Sequence, residues 1–344
     1  MPKRAALLEA LGGEEGCRIL SAAFYRRVGR DPVLRPLFPG KSLKCATEEF
    51  AAFLIQFLGG DEQQTQRRWW LSLRESHARF RIGPAERQAW LQHMTATLDA
   101  SSLDEPARGA LRQFFEHSSA YILGEETAGR LDEELSERWD GQRALDDAIA
   151  AIAGGRDREA MVLSERLVSR PSVFVGLLAR IVPSGRAALI EFVRNAVERD
   201  PTLAARLSGG RTLLHYAAGA GCLAVVDTLL RLGADPGVPD SGGHTPLYSV
   251  ANQCASDAGP EIVRALMRAG ADVNACGGVM RATPLHMAAR RGNVEIARAL
   301  LDCGAALEAR DRGGVTPLER SLNCRKAAVA QLLMARGAHA GAKT

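Results

Sequence analysis

Thr283-Pro284-Leu285-His286-Met287-Ala288-Ala289, read outward in both directions, has three counterparts in the same chain: Thr212-Leu213-Leu214-His215, Thr245-Pro246-Leu247-Tyr248 and Thr316-Pro317-Leu318-Glu319. The four begin 33, 38 and 33 residues apart. A second ladder follows in phase: Gly233-Ala234-Asp235, Gly270-Ala271-Asp272, Gly304-Ala305-Ala306 and Gly337-Ala338-His339. Between the ladders, Val225–Leu230 and Val294–Leu301 carry apolar residues at helical spacing. Thr-Pro opens a helix, because proline presets φ and its missing N–H would have no partner in the first turn. Gly221 and Gly292 are placed to end the first helix of their units in left-handed geometry. A helix pair of this size cannot bury its apolar face alone, so neighbouring units must stack.

This pattern resembles the ankyrin family, whose repeat is about 33 residues long with a T-P-L-H-x-A signature. The resemblance implies a protein-binding solenoid of four repeats over residues 210–344. The second repeat is five residues longer, and its extra residues, around Asn252–Pro260 and Cys276–Arg281, are expected to form loops. Upstream, Ser172–Ala205 reads as two helices broken at Pro183-Ser184-Gly185, and residues 172–209 are taken as a degenerate capping repeat. Ala144–Val168 reads as helical. Glu125–Asp140, rich in acids and arginine, reads as an exposed helical linker, so that residues 126–171 join two domains.

Residues 1–125 show no repeat and read as a set of helices. An amphipathic run, Ile19-Leu20-Ala23-Phe24-Val28, follows Gly12-Gly13 and stops at Asp31-Pro32. A second spans about Thr47–Leu58 and ends at Gly59-Gly60. A third starts near Pro84 and sets Trp90, Met94 and Leu98 on one face. A fourth, Ala107–Leu123, turns Leu111, Phe114, Phe115 and Ile122 inward. Five short motifs run through this region in order: Phe24-Tyr25, Pro36-Leu37-Phe38-Pro39, Phe53-x-x-Gln56-x-x-Gly59-Gly60, Arg74-x-x-His77-x-x-Phe80-x-Ile82 and Glu86-Arg87-x-Ala89-Trp90.

In that order and spacing, the motifs resemble the group II truncated haemoglobins, the two-over-two globin class. The whole chain is then all-α: a truncated globin, a helical linker and an ankyrin solenoid. The resemblance implies haem b as cofactor, with His77 as the proximal iron ligand and the only metal-binding residue of the site. Tyr25 and Trp90 match the distal residues. A tyrosine hydroxyl can hydrogen-bond a bound ligand, and the indole N–H can only donate. Phe38 matches an aromatic packed against the haem. Ala46 falls at a ligand-gate position, with Phe50 one turn later on the same helix. In some relatives a second tyrosine stands where this chain has Phe38, which removes one polar contact. Ala46 offers no hydrogen bond, and a packing role suits it as well as a gate role. The stretch Asp61–Trp70 differs from the usual Gly-His-Pro-containing segment of the family, and Trp69-Trp70 within it either covers the haem edge or packs the loop.

Each remaining candidate also has a structural reading. His93 lies one turn from Trp90 and is taken as a packing or surface residue. His215 and His286 belong to the repeat signature and are read as hydrogen-bonding to neighbouring repeat loops, not as metal ligands. Cys17 and Cys45 are read as inert thiols. The seven cysteines are odd in number and form no C-x-x-C pair. A zinc site or disulfide framework is therefore not expected, and reduced thiols in the cytoplasm are. The net charge of +4 is small, and basic residues are interleaved with acids, unlike a nucleic-acid footprint. The longest apolar run, Val173–Val182, is cut by Arg180 and is too short to span a membrane.

Three functions follow from these readings. In the first, a haem-binding globin reversibly holds a diatomic gas (O2, NO or CO). It is joined to a protein-interaction module, as a gas sensor or as a scavenger delivered to a partner. In the second, the same haem is enzymatic, carrying out NO dioxygenation or peroxide reduction. No reductase domain accompanies it, so binding is preferred over turnover and no catalytic residue is assigned. In the third, the globin is a scaffold without haem, against which His77, Phe38, Tyr25 and Trp90 all count.

Overall fold

The computed structural model describes residues 6–38, 40, 42–60, 72–125 and 131–339. Among them are 18 α-helices and one two-stranded hairpin, so the fold is all-α. The chain divides into two compact units, Met1–Phe174 and Val175–Thr344.

In the first unit, α1 (Ala6–Ala10) leads into α2 (Gly13–Val28), α3 (Lys44–Phe57), α4 (Leu73–His77), α5 (Pro84–Asp99), α6 (Glu105–Leu123), α7 (Glu133–Ala153) and α8 (Asp157–Glu165). α2 packs on α3 and α5, and α5 packs on α6. The buried stripe of α2 is Cys17, Leu20, Ser21, Phe24 and Val28, which follows the i, i+3, i+4 rule. Ile19, expected inward, lies off that stripe and is 61% exposed. Met94, Leu98, Leu111, Phe114 and Phe115 are buried as expected, and Ile122 is half-buried against the same core. α3 starts at Lys44 rather than about Thr47. α6 starts at Glu105, where the Asp104 side chain caps it by accepting from Ala107 N–H at 3.0 Å.

Over residues 133–140, the exposed linker expected at Glu125–Asp140 is not what forms. Leu135 and Trp139 of α7 are buried in the first unit's core. The Trp139 ring meets Phe114 at 5.8 Å and Tyr121 at 5.2 Å, both edge-on. Two apolar residues four apart give α7 a narrow buried stripe, and the surrounding charges stay outside it.

In the second unit, α10 (Ala187–Arg199) follows α9 (Pro171–Ile181), within which the division falls. Strands β1 (Leu207–Ser208) and β2 (Arg211–Thr212) pair antiparallel. Then come four helix pairs: α11 (Leu213–Ala220) with α12 (Leu223–Arg231), α13 (Pro246–Gln253) with α14 (Gly259–Arg268), α15 (Pro284–Arg291) with α16 (Val294–Asp302), and α17 (Pro317–Asn323) with α18 (Ala327–Ala335). The first helices of the pairs stack in one row. The second helices stack in another, which α10 begins. Gly221 and Gly292 end α11 and α15 at φ of 75° and 82°, in the left-handed region expected of them. The extra residues of the second repeat are loop only in part: residues 254–258 are irregular, whereas Gly259 and Pro260 already open α14.

The repeat histidines tie one unit to the next. His286 Nδ1 accepts from Thr283 N–H at 3.2 Å, so Nε2 carries the proton and donates to Val315 O at 2.9 Å. His215 does the same with Thr212 N–H and His244 O, at 3.3 and 3.0 Å. Both rings are fully buried, and burial holds both pKa values below the ordinary histidine value. The unfolded chain therefore takes up protons at these positions before the folded chain does. Stability contributed by the neutral rings is fully present above the ordinary pKa of about 6.5 and is lost as pH falls below it. The array's unfolding temperature in the full chain is expected to drop between pH 7.5 and 5.5. His286→Ala should cost about 2 kcal/mol at pH 7.5, the cost of two buried polar groups left unpaired, and should flatten that pH slope. A slope unchanged in the double variant His215→Ala/His286→Ala would show that other groups carry it.

Candidate functional site

A connected set of aromatic rings packs against the core of the first unit, and all but one of the residues expected to form a site lie within it. Tyr25 follows the buried Phe24 on α2. Ser21 of the same helix donates to Thr47 O of α3 at 2.7 Å and fixes the two helices side by side. Phe38 leaves a short 3-10 turn, Arg35–Leu37. Asp31 sets the approach to that turn, because its carboxylate accepts from Val33 and Leu34 N–H at 2.8 and 2.7 Å. Arg35 clamps the exit through the carbonyls of Phe38 and Gly40. Trp90 is carried by α5, whose start is fixed by Pro84 and by Glu86 accepting from Gly83 N–H at 2.8 Å. That cap explains why Glu86 belongs to the Trp90 motif.

The ring centroids form a path. His77 lies 6.4 Å from Phe80, Phe80 5.4 Å from Phe38, Phe38 5.8 Å from Tyr25, Tyr25 6.2 Å from Phe50 and Phe50 6.3 Å from Trp90. Phe24 closes it from behind, at 5.1 Å from both Tyr25 and Trp90. Most of these pairs are edge-on or tilted, as the aromatic quadrupole favours. Thus His77, Phe38, Tyr25, Phe50 and Trp90 come together. Ala46 sits half-buried one turn before Phe50. Trp69-Trp70 lies outside the described residues. His93 does not join the cluster: its Nε2 pairs with Asp31 Oδ2 at 2.7 Å, which holds the Asp31 carboxyl below the usual range. Phe80 was not singled out from the sequence, although the motif Arg74-x-x-His77-x-x-Phe80 contained it. It is the link between His77 and Phe38.

The polar atoms of the cluster suit an axial metal ligand with two donors. His77 Nδ1 lies 2.7 Å from Leu73 O. A carbonyl only accepts, so Nδ1 carries the proton and the lone pair is on Nε2. Ser76 supports this arrangement, with its hydroxyl 2.9 Å from Nδ1 and donating to the same carbonyl at 2.8 Å. A ring nitrogen fixed in this way orients the other nitrogen as a metal ligand and raises its basicity. Burial, opposed by the Leu73 carbonyl and reinforced by the charge of Arg79, lowers the His77 pKa and favours the neutral ring that ligation requires. Burial pushes the Tyr25 phenol up, so it stays a protonated donor. Neither the Tyr25 hydroxyl nor the Trp90 indole N–H has a hydrogen-bond partner among the described residues. A neutral imidazole with a fixed tautomer, two uncommitted donors and a wall of phenylalanines together fit a haem. Among the described residues no group of three or more His, Cys, Asp or Glu could hold a bare metal ion instead.

A small helical fold that sets one fixed imidazole beside a connected set of aromatic rings suits a globin. The family described as bacterial-like globin matches residues 6–122. Group 2 truncated hemoglobin YjbI of Bacillus subtilis (strain 168) is 34% identical over 102 residues, covering 30% of this chain and 74% of that protein. Group 2 truncated hemoglobin 3-1 of Lotus japonicus is 31% identical over 107 residues, covering 30% of this chain and 64% of that protein. Through this N-terminal unit the chain belongs to the group 2 truncated haemoglobins. The family described as ankyrin repeats matches residues 182–275 and 251–344. Ankyrin repeat and SOCS box protein 16 of Homo sapiens is 36% identical over 99 residues, which are 29% of this chain and 21% of that protein. The chain thus spans about a fifth of the length of that relative.

Proposed function

We propose that the N-terminal unit binds haem b through His77 and reversibly holds a diatomic gas (O2, NO or CO), and that the ankyrin repeats bind a protein partner. The observation that carries this reading is the His77 imidazole, whose Nδ1 is spent on Leu73 O and whose Nε2 is left to a metal. Phe38, Phe80 and Phe50, which line the ring path from His77, would pack against the haem. Tyr25 and Trp90 would donate to the gas, and Ala46 would leave the way in unobstructed. Haem, held by His77, would supply an iron to which the gas binds. What the chain supplies is the ligand, the dry walls and the two donors. The absorption spectrum of the purified full chain, before and after reduction and exposure to CO, tests the reading. A Soret band that moves on CO binding is expected, and a colourless protein that takes up no added haem would end it.

We divide the chain into a globin domain whose core extends past residue 125 to include α7, a capping repeat over 172–209 and four ankyrin repeats over 210–344. The seven cysteines are all free thiols, which suits the reducing cytoplasm. No helix among the described residues is long and apolar enough to cross a membrane. A sensor or a scavenger differs in whether gas and partner favour the same state of the chain.

The repeat tip at residues 277–281 supports the partner-binding half of the proposal. Gly277 and Ala282 form a bridge that closes the tip, and Arg281 is held there at a positive φ of 48°. A side chain on Gly277 would strike Gly243 O of the preceding tip at 2.0 Å, so successive tips lie against each other. The next tip is joined by Arg312 N–H to Met280 O at 2.7 Å. This rigid tip presents Val279, 78% exposed, and Met280, 46% exposed. In the next tip, Arg310 is committed to its own turn, where it donates to Gly314 O at 2.7 Å. The full chain carrying Val279→Glu and Met280→Glu is expected to lose partner capture by about tenfold, as for a central apolar contact, with the array's melting temperature unchanged. Unchanged capture would place the recognition surface elsewhere.

A further inference from the structure

Helix α7 lies beyond residue 122, where the globin match ends, yet it reaches the helix that carries His77. Asp146 of α7 is 2% exposed. Its Oδ1 accepts from Leu73 N–H at 3.0 Å and from the Gln142 side-chain amide at 2.9 Å, and its Oδ2 accepts from Arg74 N–H at 3.2 Å. The Ser72 hydroxyl bonds it as well. Leu73 and Arg74 are the first two residues of α4, and a helix leaves such amides without a partner of its own. The next amide to need one, Glu75 N–H, is taken by Ser72 Oγ at 3.1 Å.

Leu73 is therefore held from both sides. Its N–H is bound by Asp146, and its carbonyl, one peptide unit on, is bound by His77 Nδ1 at 2.7 Å. Two hydrogen bonds through a single residue connect the carboxylate of α7 to the proximal imidazole. The contact is reinforced beside it: the Arg74 guanidinium lies 4.0 Å over the Tyr121 ring and 3.8 Å from Asp147. Trp139 anchors α7 against Phe114 and the same Tyr121. Burying a carboxylate is costly, and here burial outweighs the bonds it accepts and raises its pKa. An apolar residue at this place would avoid that cost but leave the Leu73 and Arg74 amides unpaired.

We propose that Asp146 is a positioning residue for His77: it fixes the start of α4, so that α7 sets the orientation of the imidazole toward the haem. This rests on the haem reading above. The test compares the full-length wild type with Asp146→Ala, Asp146→Asn and, as a surface control on the same helix, Arg143→Ala. Amide hydrogen exchange at Leu73 and Arg74 is measured in the haem-free chain. The iron–histidine vibration of the reduced, haem-loaded chain and the rate of haem transfer to an acceptor apoprotein are measured alongside. In Asp146→Ala the two amides are expected to exchange at least about tenfold faster, the effect of losing hydrogen bonds to a charged acceptor. The iron–histidine band should shift and haem should leave about tenfold faster. Asp146→Asn keeps one acceptor oxygen, so it should fall between the two, and it decides the matter if the alanine variant does not fold. Arg143→Ala should match wild type in all three. Unchanged exchange in Asp146→Asn and Asp146→Ala overturns the proposal, as does faster exchange with an unmoved iron–histidine band. A wild-type chain that takes up no haem overturns the haem reading and the placing role together, whereas amide exchange still reports the contact between α7 and α4.

Discussion

Full-length His77→Ala is expected to emerge from purification with its ankyrin transition intact and its haem largely gone. The imidazole of His77 has its geometry already set, through Nδ1 to Leu73 O at 2.7 Å. Of the other histidines of the unit, His93 has its Nε2 engaged by Asp31 at 2.7 Å. His117 has its Nδ1 held by Gln113 O at 2.9 Å, as His77 is held by Leu73 O, but it lies on α6, outside the motif that carries His77. Removing only the hydrogen-bond partner of a ligating histidine costs about 10–100-fold in metal affinity, so loss of the ligand itself should cost at least that. His77 lies half-buried at the end of a five-residue helix, and truncating it removes little packing. Folding of the unit should survive, as circular dichroism would read. Imidazole added to the buffer should partly restore the wild-type spectrum by occupying the emptied position. Wild-type haem content in the variant, with an unchanged spectrum, would mean that another group holds the iron.

The ankyrin half was readable from its sequence because its chemistry is local. Threonine caps, the proline after them and glycine stops each act within three or four residues, and Thr283, Thr316, Gly221 and Gly292 behave as their types dictate. The pocket residues were readable through the order of five motifs rather than through periodicity, which gives helices and no chemistry. Phe80 was in view within its motif, but its function as the link from His77 to Phe38 depends on a loop that brings the two rings to 5.4 Å. Asp146 could not have been found this way. An aspartate in a charged helix reads as solvated, and its partners lie 72 and 73 residues earlier. Leu135 and Trp139 failed to signal burial for a related reason: two apolar side chains among many charges are too few to define a face until a core accepts them. Ile19 is the opposite case, an apolar residue counted into a stripe from which one helical step of about 100° displaces it.

The largest kinetic effect is expected on the other side of the pocket. Tyr25→Phe and Trp90→Phe should each release O2 from the haem-loaded chain about 10–100-fold faster than wild type, since a hydrogen bond to a partly charged ligand is worth roughly 1.5–3 kcal/mol. Both side chains lie in the ring path that starts at His77, and both donors lack a partner among the described residues, so their hydrogen-bonding capacity is not spent on the fold. The controls follow from the packing. Tyr25→Phe keeps the ring contacts with Phe24 at 5.1 Å and Phe38 at 5.8 Å and removes a hydroxyl with no partner among the described residues, so the melting temperature should hold or rise. Trp90→Phe loses ring area against Phe24 and Phe115, at 5.1 and 5.5 Å, and should cost about 1–2 kcal/mol of stability. A rate effect caused by loosened packing would therefore appear in Trp90→Phe and be absent in Tyr25→Phe. CO carries less charge when bound, and its release should change less than that of O2 in both variants. The two rings share Phe24 and Phe50 as neighbours, so the double variant should fall short of the sum of the single effects. Equal O2 release from wild type and both single variants would remove Tyr25 and Trp90 from ligand binding and leave them as core residues.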